Sequence, residues 1–268
     1  MPEGHVIHRA ARLQGRRFKG KMVSVSSPQG RFRDGAATLD GRRIERMHAY
    51  GKHLFYDFDN DLSVHIHLGL FGKFRLSRLP AKVEPSPNCR LLIESETDQL
   101  HLAGPTVCEL VDAEGIERIV ARLGPDPILD PPDGADRLAQ RLSTRSIPIG
   151  AALLDQKVIA GIGNVYRAEF LHTLGIHPFI PAKQVRRPDV DAIWSLAVDE
   201  LRAGEALGRI VTVDPAEVGR AKRSDIPKSD RLYAYKRQGK PCRRCGTPIV
   251  AADIDGRNIW WCPTCQPE

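Results

Sequence analysis

Four cysteines near the C-terminus, Cys242, Cys245, Cys262 and Cys265, form two Cys-x-x-Cys pairs with sixteen residues between them. Two such pairs can close a tetrahedral thiolate shell around one zinc ion, and this spacing lies in the range such sites use. Two disulfides are the alternative for the same residues. They suit an oxidising compartment, and no apolar signal-peptide core opens the chain. Four thiolates leave a zinc ion no open position, so the expected ion is single and structural. A different chemistry is available at the other end, in Met1-Pro2-Glu3-Gly4. Methionine ahead of a small residue is normally removed, which would make the secondary amine of Pro2 the N-terminus. Such an amine can attack an aldehyde-like carbon and form an iminium ion. An α-amino group has a pKa of roughly 7.7–8, so a usable fraction is neutral near pH 7. Glu3 could move protons beside it. Pro-Glu is also an ordinary helix entry, and on these residues alone both readings stand.

Two further groups could hold an anion. Gly161-Ile162-Gly163 permits a tight turn with positive φ, and Asn164 then stands at a favoured helix-start position. Free N–H groups at such a helix start can receive a phosphate; a plain helix-turn with a capping Asn is the alternative. Lys52, in Gly51-Lys52-His53-Leu54, is either a solvated strand-edge residue or a compact phosphate-binding cation. His65 and His67 share one strand face at period two, the minimum for a metallohydrolase, but no nearby Asp/Glu pattern in the sequence supports one.

These groups must be carried by folded elements, and 268 residues suffice for two domains and a small zinc unit. No apolar run is long enough to span a membrane, so a soluble, cytoplasmic protein is expected. The net charge of +7 favours a polyanionic partner. From Arg209 to Arg244 there are eleven Lys/Arg against four Asp/Glu, either a solvated basic linker or a nucleic-acid backbone site. Cys89 and Cys108 are expected as reduced core residues.

Val6, Ala10 and Leu13 give a helical face over residues 3–14. From about Met22 to Leu110, short alternating runs separated by turn signals predict a β-sandwich. Ile116, Ile119, Val120 and Leu123 are spaced as a helix, ended by Gly124-Pro125. Residues 125–134, rich in Pro, Asp and Gly, are the expected linker. Helices are then predicted over 136–142, 148–158 and 164–174, and from Pro188 onward. Residues 209–230 lack periodicity and are expected to form a mobile loop. Asp255-Gly256 between apolar runs marks a β-hairpin inside the zinc unit. The domains are therefore expected at 1–124, 135–230 and 231–268.

Taken in order, Pro2-Glu3-Gly4, then Gly51-Lys52-His53-Leu54, then Gly161-Ile162-Gly163-Asn164 with Tyr166, Arg167 and Glu169, then the four cysteines, the chain resembles the formamidopyrimidine-DNA glycosylase/endonuclease VIII family. The resemblance spans nearly the whole chain. It implies an α+β multidomain protein: an N-terminal β-sandwich with flanking helices, a helix–two-turn–helix domain and a zinc β-hairpin finger. It further implies a monomeric base-excision repair enzyme acting on damaged DNA. Pro2 would attack C1′ of an everted nucleotide, with Glu3 and Lys52 in the catalytic set. Asn164, Arg257 and Lys157 would bind DNA phosphates. Leu70 and Phe71, in Leu68-Gly69-Leu70-Phe71-Gly72, would fill the gap in the duplex; their alternative is the core. A catalytically inactive damaged-DNA-binding protein of the same architecture is the rival reading. One departure stands out: the second glutamate that the family often carries three positions after Glu3 is Val6 here. His5 stands where proline is common, and is expected to line the mouth of the pocket. The Pro-Glu-Gly and Gly-Lys-His-Leu segments resemble the endonuclease VIII side, which suggests oxidised pyrimidines as substrates.

Overall fold

The computed structural model describes residues 2–81 and 83–268. Met1, whose removal the sequence suggests, lies outside the described residues. The chain divides into two compact units: residues up to Glu3 with Ile7–Arg122, and Gly4–Val6 with Leu123–Glu268.

Helix α1 (Gly4–Phe18) ends four residues beyond the end its apolar spacing predicts, and from Ile7 onward it belongs to the first unit. Eight strands follow: β1 (Ser24–Ser26), β2 (Ile44–Tyr50), β3 (His53–Phe58), β4 (Ser63–His67), β5 (Lys73–Arg78), β6 (Cys89–Glu94), β7 (Asp98–Ala103) and β8 (Val107–Val111). They form two four-stranded antiparallel sheets in the orders β1-β6-β7-β5 and β2-β3-β4-β8. Leu54, Tyr56, Val64 and Ile66 of one sheet share a core with Leu91, Ile93, Leu100 and Leu102 of the other. This is the sandwich that the alternation predicts. In β3, period two sends Leu54, Tyr56 and Phe58 to that core and His53, Phe55 and Asp57 to the opposite face. A helix that the sequence reading missed, α2 (Arg33–Leu39), buries Ala36 and Leu39, and α3 (Ala113–Ala121) begins at an Asp112 cap on Gly115 N–H.

The second unit holds α4 (Gly134–Ser143), α5 (Ile149–Ala152), α6 (Asn164–Leu174) and α7 (Arg187–Leu207). Leu138, Leu153, Ile162, Tyr166, Phe170, Ile193 and Leu201 are buried in one core. Left-handed glycines, Gly175 and Gly208, end α6 and α7. The helix predicted over 148–158 is only the single turn of α5. Side chains of Asp155 and Gln156 take up the backbone that a longer helix would have paired internally.

Residues 209–230, expected to form a mobile loop, contain three short 3-10 helices (Pro215–Val218, Arg223–Asp225 and Lys228–Asp230). The segment is tied down where Arg223 grips the buried Glu200 carboxylate through two hydrogen bonds of 2.9 and 2.6 Å, and Ile226 is buried. Strands β9 (Val250–Ile254) and β10 (Arg257–Trp261) make the hairpin expected from Asp255-Gly256, both of which have positive φ (50° and 73°) as a two-residue turn requires. No helix among the described residues is long and apolar enough to cross a membrane.

Candidate functional site

Within the second unit, the first turn of α1 is fixed by Gly4. Its N–H donates to Gly161 O at 2.8 Å, and a Cβ on Gly4 would lie 2.9 Å from Gly161 Cα and 3.3 Å from Leu201 Cδ2. The glycine of Pro2-Glu3-Gly4 is thus a close-approach position. Gly4→Ala is expected to lower stability by about 1–3 kcal/mol through overpacking. Calorimetric melting beside the wild type checks this, and an unchanged melting temperature would show that the contact has slack. Glu3, just ahead of α1, is fully buried. His5 is 3% exposed, so it does not line an open mouth as the sequence reading expected. It packs edge-on against Tyr166 (centroids 5.3 Å apart), and burial lowers its pKa to about 4, which keeps the ring neutral. Gly204 makes room for this pair, since a Cβ there would lie 2.1 Å from the Tyr166 hydroxyl.

The turn after α5 is built by one side chain that the sequence reading passed over. Gln156 donates from Nε2 to Leu154 O (2.9 Å) and Ile162 O (3.0 Å), and accepts from Gly161 N–H at 3.0 Å. That glycine has φ 91°, and the chain then enters α6 at Asn164. Asn164 Nδ2 donates to Asn258 O at 3.2 Å, and the buried Arg167 bridges Asn164 Oδ1, Asn258 O (3.0 Å) and Gly150 O (2.9 Å). Asn164 at the start of α6 and the exposed Arg257 at the start of β10 are thereby brought into one neighbourhood. Lys157 is exposed on the same turn as Gln156.

Glu169 explains why the segment ahead of the finger holds its course. Its buried carboxylate accepts from the N–H groups of Tyr233 (2.7 Å), Ala234 (2.9 Å) and Tyr235 (2.8 Å) and from the Thr212 hydroxyl. Glu169→Gln would turn an amide N–H₂ toward these donors, and should cost about 3 kcal/mol in urea unfolding. A loss below about 1 kcal/mol would show that the carboxylate's charge matters little there.

The four cysteines come together as the sequence requires. Their sulfurs all lie within 4.8 Å of one another, with Cys242–Cys265 at 3.9 Å and Cys245–Cys262 at 3.4 Å, and none is disulfide-bonded. Zinc–thiolate bonds of about 2.3 Å in a tetrahedron place sulfurs about 3.8 Å apart, so this donor set fits one zinc ion. His172 Nε2 lies 3.4 Å from Cys242 Sγ, placed to donate to a thiolate. Gln266 links the finger to the chain after α6, accepting from Cys262 N–H and donating to Ile176 O.

In the first unit, Lys52 sits in the turn before β3 and is half-buried. The turn between β4 and β5 is forced tight: Gly72 N–H donates to Leu68 O at 3.0 Å, and Gly69 has φ 63°. Leu70 and Phe71 at its tip are 58% and 85% exposed, which removes the core alternative. Cys89 is buried and Cys108 half-buried, both reduced, and burial pushes the Cys108 thiol up to about 12. His65 and His67 do not converge on a metal site; the four cysteines are the one group among the described residues spaced to hold an ion. No Asp/Glu pattern stands near these histidines in sequence, yet Glu109, on the neighbouring strand, accepts from His65 at 2.9 Å.

Three family models match in tandem: the formamidopyrimidine-DNA glycosylase N-terminal domain over residues 1–113, its H2TH domain over 123–214, and the zinc finger found in FPG and IleRS over 239–267. The chain belongs to the formamidopyrimidine-DNA glycosylase/endonuclease VIII (Fpg/Nei) family. Among Fpg/Nei relatives, it is 44% identical to Endonuclease 8 1 of Mycobacterium tuberculosis, over 99% of this chain and 100% of that one. It is 31% identical to the DNA-(apurinic or apyrimidinic site) lyase Nei2 of Mycolicibacterium smegmatis, over 99% of both. Among solved structures, Lactococcus lactis Fpg in complex with a DNA containing N7-benzyl-Fapy-dG superposes with a TM-score of 0.84 at 25% identity, covering 100% of each chain.

Proposed function

We propose that this protein is a DNA repair glycosylase with AP-lyase activity, which excises oxidised bases, oxidised pyrimidines foremost, through an iminium ion on Pro2. The observation that carries the reading is the N-terminal Pro2-Glu3-Gly4, whose glycine is locked against Gly161 and whose glutamate is buried. Full-length similarity to proteins named Endonuclease 8 supports the endonuclease VIII side of the family, and the pyrimidine preference is inferred from that side.

In this scheme the Pro2 nitrogen lone pair attacks C1′ of the damaged nucleotide, the bond from C1′ to the base breaks, and the departing base takes up the proton that the Pro2 nitrogen sheds. Glu3 delivers a proton to the ring oxygen as the sugar opens, leaving an iminium between Pro2 and C1′. That cation acidifies the neighbouring C2′–H. Loss of that proton expels the 3′ phosphate, and a second elimination expels the 5′ phosphate. Asn164, Arg257, Lys157 and Lys52 hold the strand by its phosphates, and the apolar tip Leu70-Phe71 occupies the gap left by the everted nucleotide. The four cysteines hold zinc as a structural centre, which supplies folding energy to the finger.

Borohydride trapping tests the reading. Protein whose mass shows that it begins at Pro2 should become covalently joined to DNA bearing an abasic site, and to duplexes bearing oxidised pyrimidines faster than to those bearing oxidised purines. Tight binding of these duplexes without any adduct would leave a damaged-DNA-binding protein instead.

A further inference from the structure

The outer face of the β2-β3-β4-β8 sheet carries chemistry that the proposed reaction leaves unused. Strand register lines up His48, Phe55, His65 and Glu109 in one row across all four strands, and sets His53 opposite His67 in the next. His65 is 4% exposed and bonded at both nitrogens: Nδ1 lies 2.9 Å from Glu109 Oε1, and Nε2 lies 2.8 Å from His53 Nδ1. The rings of His53 and His65 stack with centroids 5.1 Å apart, and the His53 ring lies 5.0 Å from that of His67.

The proton positions follow from the bonding. A carboxylate only accepts, so His65 Nδ1 carries a hydrogen. A neutral imidazole has one such hydrogen, so His65 Nε2 is bare and accepts from His53 Nδ1–H. His53 is then left with Nε2 as its single basic atom. A carboxylate that fixes the tautomer of one imidazole, and through it the next, also steadies a positive charge that arrives at the far end of the chain.

The groups facing His53 are Tyr50 opposite it on β2, Lys52 beside it, His65 and His67 on β4, and Glu109 beyond His65. On the far side of the row, Phe55 separates His65 from the His48–Asp57 pair, and Arg31, Arg33 and Asp34 border the same hollow as Glu109. Burial first, then His65, His67 and Lys52, lower the His53 pKa to about 3, so the ring is neutral in the free protein. A phosphate reaching this face reverses the balance, because an adjacent negative charge favours the protonated ring.

We propose that His53 is a proton-linked phosphate-binding residue, and that His65 and Glu109 are the positioning pair that hold its ring and tautomer. The inference rests on the DNA-binding reading given above. One proton moves from solvent to His53 Nε2, where the new N–H donates to a phosphate oxygen. The bonds from His53 to His65 and from His65 to Glu109 stay as they are.

Calorimetric titration with a duplex containing a tetrahydrofuran abasic analogue, in two buffers of different protonation enthalpy, reads the proton directly. Wild-type protein is expected to take up a proton on binding near pH 6.5, and its affinity should fall about tenfold between pH 6 and pH 8. His53→Gln should abolish the uptake and flatten that pH dependence. Glu109→Gln, which keeps an acceptor for His65 but removes the charge, should reduce the uptake while leaving the fold intact, since the Glu109 side chain is 54% exposed. Binding by the wild type without proton uptake, or equal uptake in His53→Gln, overturns the inference and leaves the DNA reading standing. If no duplex binds at any pH, the DNA reading fails, and the His53 Cε1–H NMR titration with inorganic phosphate decides the inference alone. A midpoint raised by phosphate supports it, and an unmoved one overturns it.

Discussion

Leaving a short uncleaved leader ahead of Pro2 is expected to abolish borohydride trapping on abasic DNA, by a factor on the order of 10³ or more, while duplex affinity stays within a few-fold of wild type. The reason is electronic. A free Pro2 nitrogen carries a lone pair, but the same nitrogen inside a peptide bond shares it with the carbonyl and is no nucleophile. Adduct formation by the free protein should rise with pH as the amine deprotonates, with a midpoint near the roughly 7.7–8 of an α-amino group. Pro2→Gly is a graded control: it keeps an N-terminal amine, now primary, and should trap more slowly than wild type and faster than the blocked form. Scoring rate against mass-verified N-termini checks all three together. Undiminished trapping by the blocked protein would assign the adduct to a lysine, with Lys52 the first to examine.

The parts of the fold legible in the sequence are those written in local chemistry. Cys242, Cys245, Cys262 and Cys265 announce the zinc unit by spacing, and Asp255-Gly256 announces its hairpin because few other pairs accept two positive φ values. Alternation in β3 and β4 gives the sandwich, and Gly175 marks a helix end. What stayed hidden depends on partners far along the chain. Residues 153–158 carry enough apolar residues to extend the predicted helix, yet Gln156 spends its amide on Leu154, Gly161 and Ile162. Glu169 has the appearance of an ordinary helix carboxylate until Tyr233, Ala234 and Tyr235 arrive 64 to 66 positions later. His65 seemed to lack an acidic neighbour because Glu109 stands 44 residues away and is delivered by strand register. His5 sits beside a proposed nucleophile in sequence, which favours a pocket rim, but packing against Tyr166 buries it. Spacing reveals a site when its members are neighbours in sequence, and is silent when a sheet or a buried carboxylate assembles them.

Stripping the zinc is expected to remove DNA binding without unfolding the rest of the protein. A lone two-stranded hairpin is at best marginally stable in water, and structural zinc contributes about 10–16 kcal/mol of binding free energy in isolated fingers. Without it, β9 and β10 lose what holds their turn, and Arg257 and Asn258 go with them. The loss reaches α6, because Asn258 O is the acceptor shared by Asn164 and Arg167. Two proposed phosphate ligands, Asn164 and Arg257, are therefore disturbed together. Each cationic side chain that leaves its phosphate lowers the slope of log affinity against log salt by about one, so the salt dependence should weaken along with the affinity. The sandwich of the first unit and the core around Leu138, Phe170 and Leu201 contain no metal ligand, so most helical and strand signal should survive in circular dichroism. Trp260 and Trp261 lie within the hairpin, and their fluorescence should report its opening. Cys262→Ser should reproduce the chelated state, with no recovery on adding zinc, whereas chelated wild type should regain binding. Unchanged duplex affinity in protein shown by mass to be metal-free would mean that the finger contributes nothing to the grip, and would return Arg257 to an ordinary solvated surface residue.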